Sequence, residues 1–280
     1  MKGRSCAGGL AGCTAVLASC SLLLATAPAA AWAGGTDVRA AVVQYAVQEP
    51  DAVGVDAERV AEAIRKAAAA GAKLVVLPEL TFYRTHPWEH NGVTILDLAQ
   101  AYGDLVKTFS QLARELGVAV VLGVWEPSGD PTHPVFNTAL FLGPDGTLLG
   151  KHRKVVPNAA EYDFTKPGSE AQGDATPFAT PFGRVGMLIG QDMATRFWPN
   201  GLAAKKLDLF VALLAQREGG WRTAVATCLA GRCPGLAANR SDAPHVGNSG
   251  AVNRDGTALA QAGGGEETLL VTIPARGVSR

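Results

Sequence analysis

Val185-Gly186-Met187-Leu188-Ile189-Gly190-Gln191-Asp192-Met193-Ala194-Thr195-Arg196-Phe197 is the stretch from which the fold can be read. A short run of small and branched apolar residues stops at Gly190, and a polar segment with an arginine and an aromatic follows. Such a run reads as a buried strand emptying into a loop. In α/β folds the carboxyl end of a strand is where side chains meet a ligand.

The same grammar recurs on both sides. Val38 to Tyr45 reads as a first strand, and Asp56 to Ala70 as an amphipathic helix stopped by Gly71. Lys73 to Glu79 is a second strand with Glu79 at its end. Asp97 to Leu116 carries one helical period closed by Gly117, and a strand over Val118 to Val124 follows at once. Phe136 to Leu142, the turn Pro144-Asp145-Gly146 and Leu148 to Lys154 form a hairpin. After Asp192 come strands at 209–214, 236–239, 251–256 and 268–273, with a helix expected over Arg222 to Leu229. No repeat or linker divides residues 34–280, so one α/β domain is expected.

Composition narrows the class. With 48% hydrophobic and 18% charged residues and a formal net charge of zero, the 280-residue chain can fill a core and has no basic surplus for nucleic acid. Residues 1–33 read as a secretory signal: Lys2 and Arg4, then a small-residue and apolar stretch without acidic residues, then the small-x-small pattern Ala31-Trp32-Ala33. Leu17-Ala18-Ser19-Cys20 also resembles a lipoprotein box, so a membrane tether through Cys20 is the alternative to free secretion or a periplasmic location. Removing that segment leaves 23 basic against 25 acidic residues. Cys228 and Cys233 then remain, either as a disulfide of an exported chain or as two thiols.

Three strand ends carry the chemistry. Leu77-Pro78-Glu79, Gly150-Lys151-His152-Arg153-Lys154 and Gly190-Gln191-Asp192 occur in the order and spacing of the catalytic segments of the carbon–nitrogen hydrolase (nitrilase/amidase) superfamily, which the chain resembles over nearly all of residues 34–280. Phe136-Asn137-Thr138-Ala139 and Pro144-Asp145-Gly146 fit the approach to the second segment. The resemblance implies an α-β-β-α sandwich, Glu79 as general base, Lys154 as the catalytic lysine and Glu161 as the supporting second glutamate. It also implies that Arg196-Phe197 holds the loop after the nucleophile, with Gln191 and Asp192 in supporting places, and that the chain pairs as a homodimer. Where the family has its cysteine nucleophile, this chain has Gly190.

Hydrolysis of an amide or nitrile through a thiolate needs a carboxylate to take the thiol proton and an ammonium to steady the developing oxyanion. Glu79 and Lys154 fit the last two tasks, and Gly190 has no side chain for the first. Gln191 is no nucleophile, Asp192 suits a turn acceptor, and Ser249 lacks the strained elbow that exposes a catalytic serine. Each residue also has a plainer reading, Glu79 as a helix cap and Lys154 as part of a solvated basic edge strand. The site therefore implies either a ligand-binding pseudoenzyme for a small amide, nitrile or carboxylate, or an active hydrolase using water or an unrecognised nucleophile. A cysteine restored at position 190 is expected to regain thiol reactivity. His86-Pro87-Trp88-Glu89-His90 matches a zinc-peptidase pattern that needs both histidines on one helix face. The proline-led loop and the lack of a third ligand argue against it, and no metal or cofactor is expected.

Overall fold

The computed structural model describes residues 37–48, 53–83, 89–90, 93–194, 197–218 and 231–274. The signal segment, Cys20, Arg196, Cys228 and the helix expected over Arg222 to Leu229 lie outside them.

In chain order the elements are β1 (Val38–Gln44), α1 (Val53–Ala69), β2 (Leu74–Val76), β3 (Glu89–His90), β4 (Val93–Thr94), α2 (Ile95–Gln100), α3 (Tyr102–Leu116), β5 (Ala119–Pro127), β6 (Val135–Leu142) and β7 (Leu148–Arg153). Then follow β8 (Phe178–Thr180), β9 (Gly183–Ile189), α4 (Phe197–Ala203), β10 (Leu209–Leu214), β11 (Gly235–Asn239), β12 (Gly250–Val252), β13 (Ala258–Gln261) and β14 (Glu267–Ile273). They form two six-stranded sheets, ordered β14-β1-β2-β5-β6-β7 and β13-β12-β11-β10-β9-β8. The middle of each is parallel, β1-β2-β5 in one and β9-β10-β11 in the other, and antiparallel strands extend both edges.

Strand alternation decides the layers. Ala40, Val42, Leu74, Val76, Val121 and Phe141 of the first sheet face Val185, Met187, Ile189, Val211 and Leu213 of the second, in one apolar cluster. The intervening residues, Ala41, Val43, Val75, Val120 and Leu122, turn the other way onto Val60 and Ile64 of α1 and Phe109 and Leu112 of α3. On the outer face of the second sheet, Leu188, Phe210 and Ala212 pack on Leu202 of α4. The result is a helix–sheet–sheet–helix sandwich, as expected. Each such fully buried Leu, Ile or Phe contributes about 1.5–3 kcal/mol of transfer free energy.

Three local differences from the sequence reading stand out. The single helix expected over Asp97 to Leu116 is two, meeting at Ala101, whose αR backbone ends α2 and starts α3. No proline stands at that break, and Gly103, two residues on, lies inside the first turn of α3, while the capping box of Thr94 and Asp97 sets the start of α2. Glu89 and His90 sit in a two-residue strand paired with β4, not on a helix, which removes the geometry that the zinc pattern requires. The strand read over 251–256 stops at Val252, because Asn253–Gly256 turn into β13.

Candidate active site

The parallel core points its carboxyl ends one way, and β7, antiparallel to β6, shares that direction. Glu79 follows the end of β2, Lys154 follows β7 and Gly190 follows β9. All three expected segments therefore arrive at one end of the seam between the sheets.

Glu79 is fixed by the chain around it. Leu77 N–H donates to Val121 O at 2.9 Å, and Thr81 N–H to Gly123 O at 3.0 Å. Thr81 Oγ1 donates to Pro78 O and accepts from Gly123 N–H. A β-carbon on Gly123 would lie 2.5 Å from Leu80 N, so the segment can press against β5 only over a glycine. Lys154 continues the β6–β7 pairing by donating its N–H to Asn137 O at 2.8 Å. Glu161 closes a tight turn in which Asn158 N–H reaches its Oε2 at 3.0 Å.

The side chains meet in a closed network. Lys154 Nζ stands 2.6 Å from Glu79 Oε1 and 2.6 Å from Glu161 Oε2, with all three side chains at most 3% exposed. Asn137 Nδ2 donates to Glu79 Oε1 and to Glu161 Oε1, each at 2.8 Å. Burial pushes the Lys154 ammonium toward losing its proton, but the two carboxylates outweigh it and hold its pKa above the usual lysine range. Burial pushes the Glu79 carboxyl up, the Lys154 charge opposes, and the negative Glu161 adds to the rise. The Glu79 pKa therefore lies above the usual glutamate value. Glu79 Oε2 accepts no hydrogen bond from the described residues, and it is the atom nearest to Gly190's missing side chain. An ideal β-carbon on Gly190 would stand 2.4 Å from it.

The third segment has its own scaffold. Gly190 takes φ +40 and opens a short 3₁₀ turn through Met193. Asp192, fully buried, accepts from Val155 and Val156 N–H through Oδ1 at 2.8 Å each, and from Ile189 N–H through Oδ2 at 3.1 Å. His152 Nδ1 accepts from Ala175 N–H, so Nε2 carries the proton that it donates to Asp192 Oδ2 at 2.7 Å. Asp192 thus ties the chain after Lys154 to the chain after Gly190. Gln191, named as a supporting residue, is exposed, and its carbonyl accepts from Ala194 N–H. Ser249 is buried and exchanges hydrogen bonds with the Asn239 backbone, a structural place. Cys233 is buried beside the outer face of the second sheet.

Two residues at the site had no role in the sequence reading. Asn137 belongs to the segment that fits the approach to Lys154, and nothing local shows that it would bridge two glutamates. Gln216 follows β10, the parallel neighbour of β9, and its Nε2 reaches Gly190 O at 3.4 Å. Asn239 clamps its backbone, accepting from Gln216 N–H at 2.9 Å and donating to Gln216 O at 3.1 Å. Its place after an apolar strand, in the tip row, was the available signal.

Comparison with known proteins agrees with the fold. The carbon-nitrogen hydrolase family model matches residues 39–279, and the chain belongs to that family. It is 31% identical to an aliphatic nitrilase of Sinorhizobium fredii over 76% of this chain and 74% of that one. The fold is that of a carbon–nitrogen hydrolase from Helicobacter pylori G27 (TM-score 0.73, 22% identity, 85% of this chain and 89% of that chain). It is equally that of an amidase from Nesterenkonia sp. AN1, in a structure showing covalent addition of the acetamide moiety of fluoroacetamide at the active site cysteine (TM-score 0.73, 19% identity, 86% and 91% covered).

Proposed function

We propose that this chain is an exported carbon–nitrogen hydrolase-like protein that binds a small nitrogenous or carboxylate compound and has given up thiol catalysis. The observation that carries the reading is the position of Gly190: the atom beside Glu79 where a nucleophile would be rooted is a glycine Cα. A carboxylate and an ammonium, held as a buried pair, remain next to it. Loss of a covalent nucleophile lowers turnover by about six orders of magnitude in the enzymes where it has been dissected. Neither Glu79 nor Lys154 offsets that.

The test is turnover and trapping. The full chain is assayed on small amides and nitriles and treated with fluoroacetamide, the reagent whose acetamide moiety adds to the cysteine of the Nesterenkonia amidase. The reading expects no turnover above the Glu79→Gln variant and no acetamide adduct in the mass spectrum of the intact protein. Turnover abolished by Glu79→Gln would sink it. One observation favours that second outcome: Glu79 Oε2, unengaged by other described groups, could orient a water for direct attack.

A further inference from the structure

Three buried polar atoms beside the ion network have no hydrogen-bond partner among the described residues: Trp125 Nε1, Asn137 Oδ1 and Thr165 Oγ1. Their residues are at most 1% exposed. Strand register brings them together. Trp125 of β5 is paired with Asn137 of β6, so both point to one face of the sheet. Val135, two residues before Asn137, points the same way and is bridged in parallel to Thr165, which therefore shares that face. It is the face of the ion network, because Asn137 Nδ2 reaches Glu79 and Glu161 from it. Neighbouring strands lie about 4.8 Å apart and alternate residues of one strand about 6.6 Å apart, which sets the Thr165 and Asn137 backbones about 8 Å from each other. The turn from Glu161 closes the group. Thr165 N–H donates to Glu161 O at 2.9 Å, and the Phe164 ring stands 5.8 Å from the Trp125 ring. Ser241 Oγ, the one other such atom among the described residues, lies beyond β11 of the second sheet.

We propose that Trp125 Nε1, Asn137 Oδ1 and Thr165 Oγ1 together bind one internal water molecule against the ion network. The three atoms offer one fixed donor, one fixed acceptor and one hydroxyl that serves as either. A water accepts from Trp125, donates to Asn137 and exchanges a third bond with Thr165, the usual number for a buried water. A cation would face the indole N–H and an anion the Asn137 carbonyl, so neither suits the set. The Phe164 ring, at 64° to the indole, takes an N–H only weakly and leaves Asn137 Oδ1 without a donor. The water also gives the Asn137 amide a single orientation, with Oδ1 toward the water and Nδ2 toward the two carboxylates. Such a site serves the network whether or not the chain turns over an amide.

A crystal structure of the full chain at atomic resolution and the stability of Thr165→Val test this. One water peak is expected within about 2.7–3.2 Å of all three atoms. Absence of that peak, or a peak that leaves any of the three without a contact, overturns the proposal. Thr165→Val keeps the shape of the side chain and removes its hydroxyl, so the sign of its effect is informative. With a water bound there, the variant deletes one of its three bonds, and the unfolding equilibrium constant rises about fivefold or more. A hydroxyl that is merely unsatisfied gains by becoming a methyl, so an unchanged or lower unfolding constant overturns the proposal as well. The wild-type structure decides alone if the variant does not fold.

Discussion

Gly190 and Glu79 exclude each other's full side chains: the carboxylate oxygen Oε2 stands 2.4 Å from where a Gly190 β-carbon would be built. Glu79 cannot simply step back, because its other oxygen is held at 2.6 Å by Lys154 and at 2.8 Å by Asn137. The sequence alone suggested that a cysteine at position 190 would find its partners waiting. In the structure one of those partners fills part of the space that cysteine needs.

Gly190→Cys is therefore expected to destabilise the fold by about 2 kcal/mol or more, from the positive φ and the displaced carboxylate together. Its thiol should alkylate no faster than a free cysteine at the same pH. Shortening the acid by one carbon–carbon bond, about 1.5 Å, relieves the contact. The double variant Gly190→Cys with Glu79→Asp should recover stability relative to the single one and alkylate faster. Thermal unfolding and iodoacetamide kinetics read both, and an equally slow double variant would show that the contact is not what holds the thiol back.

How much of this was legible in the chain follows from which signals are local. Leu77-Pro78-Glu79 and Gly190-Gln191-Asp192 announce themselves because an apolar run ends in a residue that has no business in a core. The two-sheet sandwich and the convergence of Glu79, Lys154 and Glu161 came from resemblance, since nothing in the spacing says that residues 75 apart meet. The Ala101 break was hard to read because apolar periodicity runs through it, and the nearby Gly103 sits inside the first turn of α3 rather than at the break. Asp192 read correctly as an acceptor, but its partnership with His152 crosses between two sheets and leaves no trace in either segment.

That partnership gives a second prediction. Asp192 receives donors on both oxygens, so an isosteric Asn must turn its NH₂ toward one set of N–H groups. Facing Ile189 N–H or facing Val155 and Val156 N–H, it sets donor against donor. Asp192→Asn should cost about 1–3 kcal/mol, the penalty for an unsatisfied buried group. Amide exchange at Val155 and Val156 should quicken before the global fold is lost. Unchanged protection there would mean that those amides do not depend on the carboxylate.

A third prediction uses the ion network's sign. Lys154→Met leaves Glu79 and Glu161 facing each other in a buried site, and breaking such a network by removing one partner costs about 3–5 kcal/mol. The Glu79 carboxyl, already raised by burial, would then hold its proton more tightly folded than unfolded, with no Lys154 charge to oppose it. The variant's stability must accordingly fall as pH rises above the ordinary glutamate value of 4.5. Denaturant titrations should show Lys154→Met far closer to wild type at pH 5 than at pH 8. A deficit independent of pH would mean that lost packing, not unpaired charge, sets the cost.

Asp242 gives the opposite sign at the end of β11. Burial pushes its carboxyl up, but hydrogen bonds with His245 and Arg240 and the Arg240 charge outweigh that and hold its pKa well below the usual aspartate range. Arg240, itself fully buried, donates to both Asp242 oxygens and to Tyr83 O, joining the second sheet to the segment that carries Glu79. A depressed carboxyl stabilises the fold above its unfolded pKa, and that contribution is lost as pH falls through the folded value. Asp242→Asn should therefore lose about 3 kcal/mol at neutral pH, because Arg240 is left buried without its counter-charge. The gap to wild type should narrow as pH falls below about 4, where the unfolded aspartate takes up its proton. Because Arg240 also grips Tyr83 O, the same variant should loosen the Glu79 segment and accelerate exchange at Thr81 N–H. A normal Thr81 rate in a destabilised variant would uncouple the two regions and confine Asp242 to anchoring its own loop.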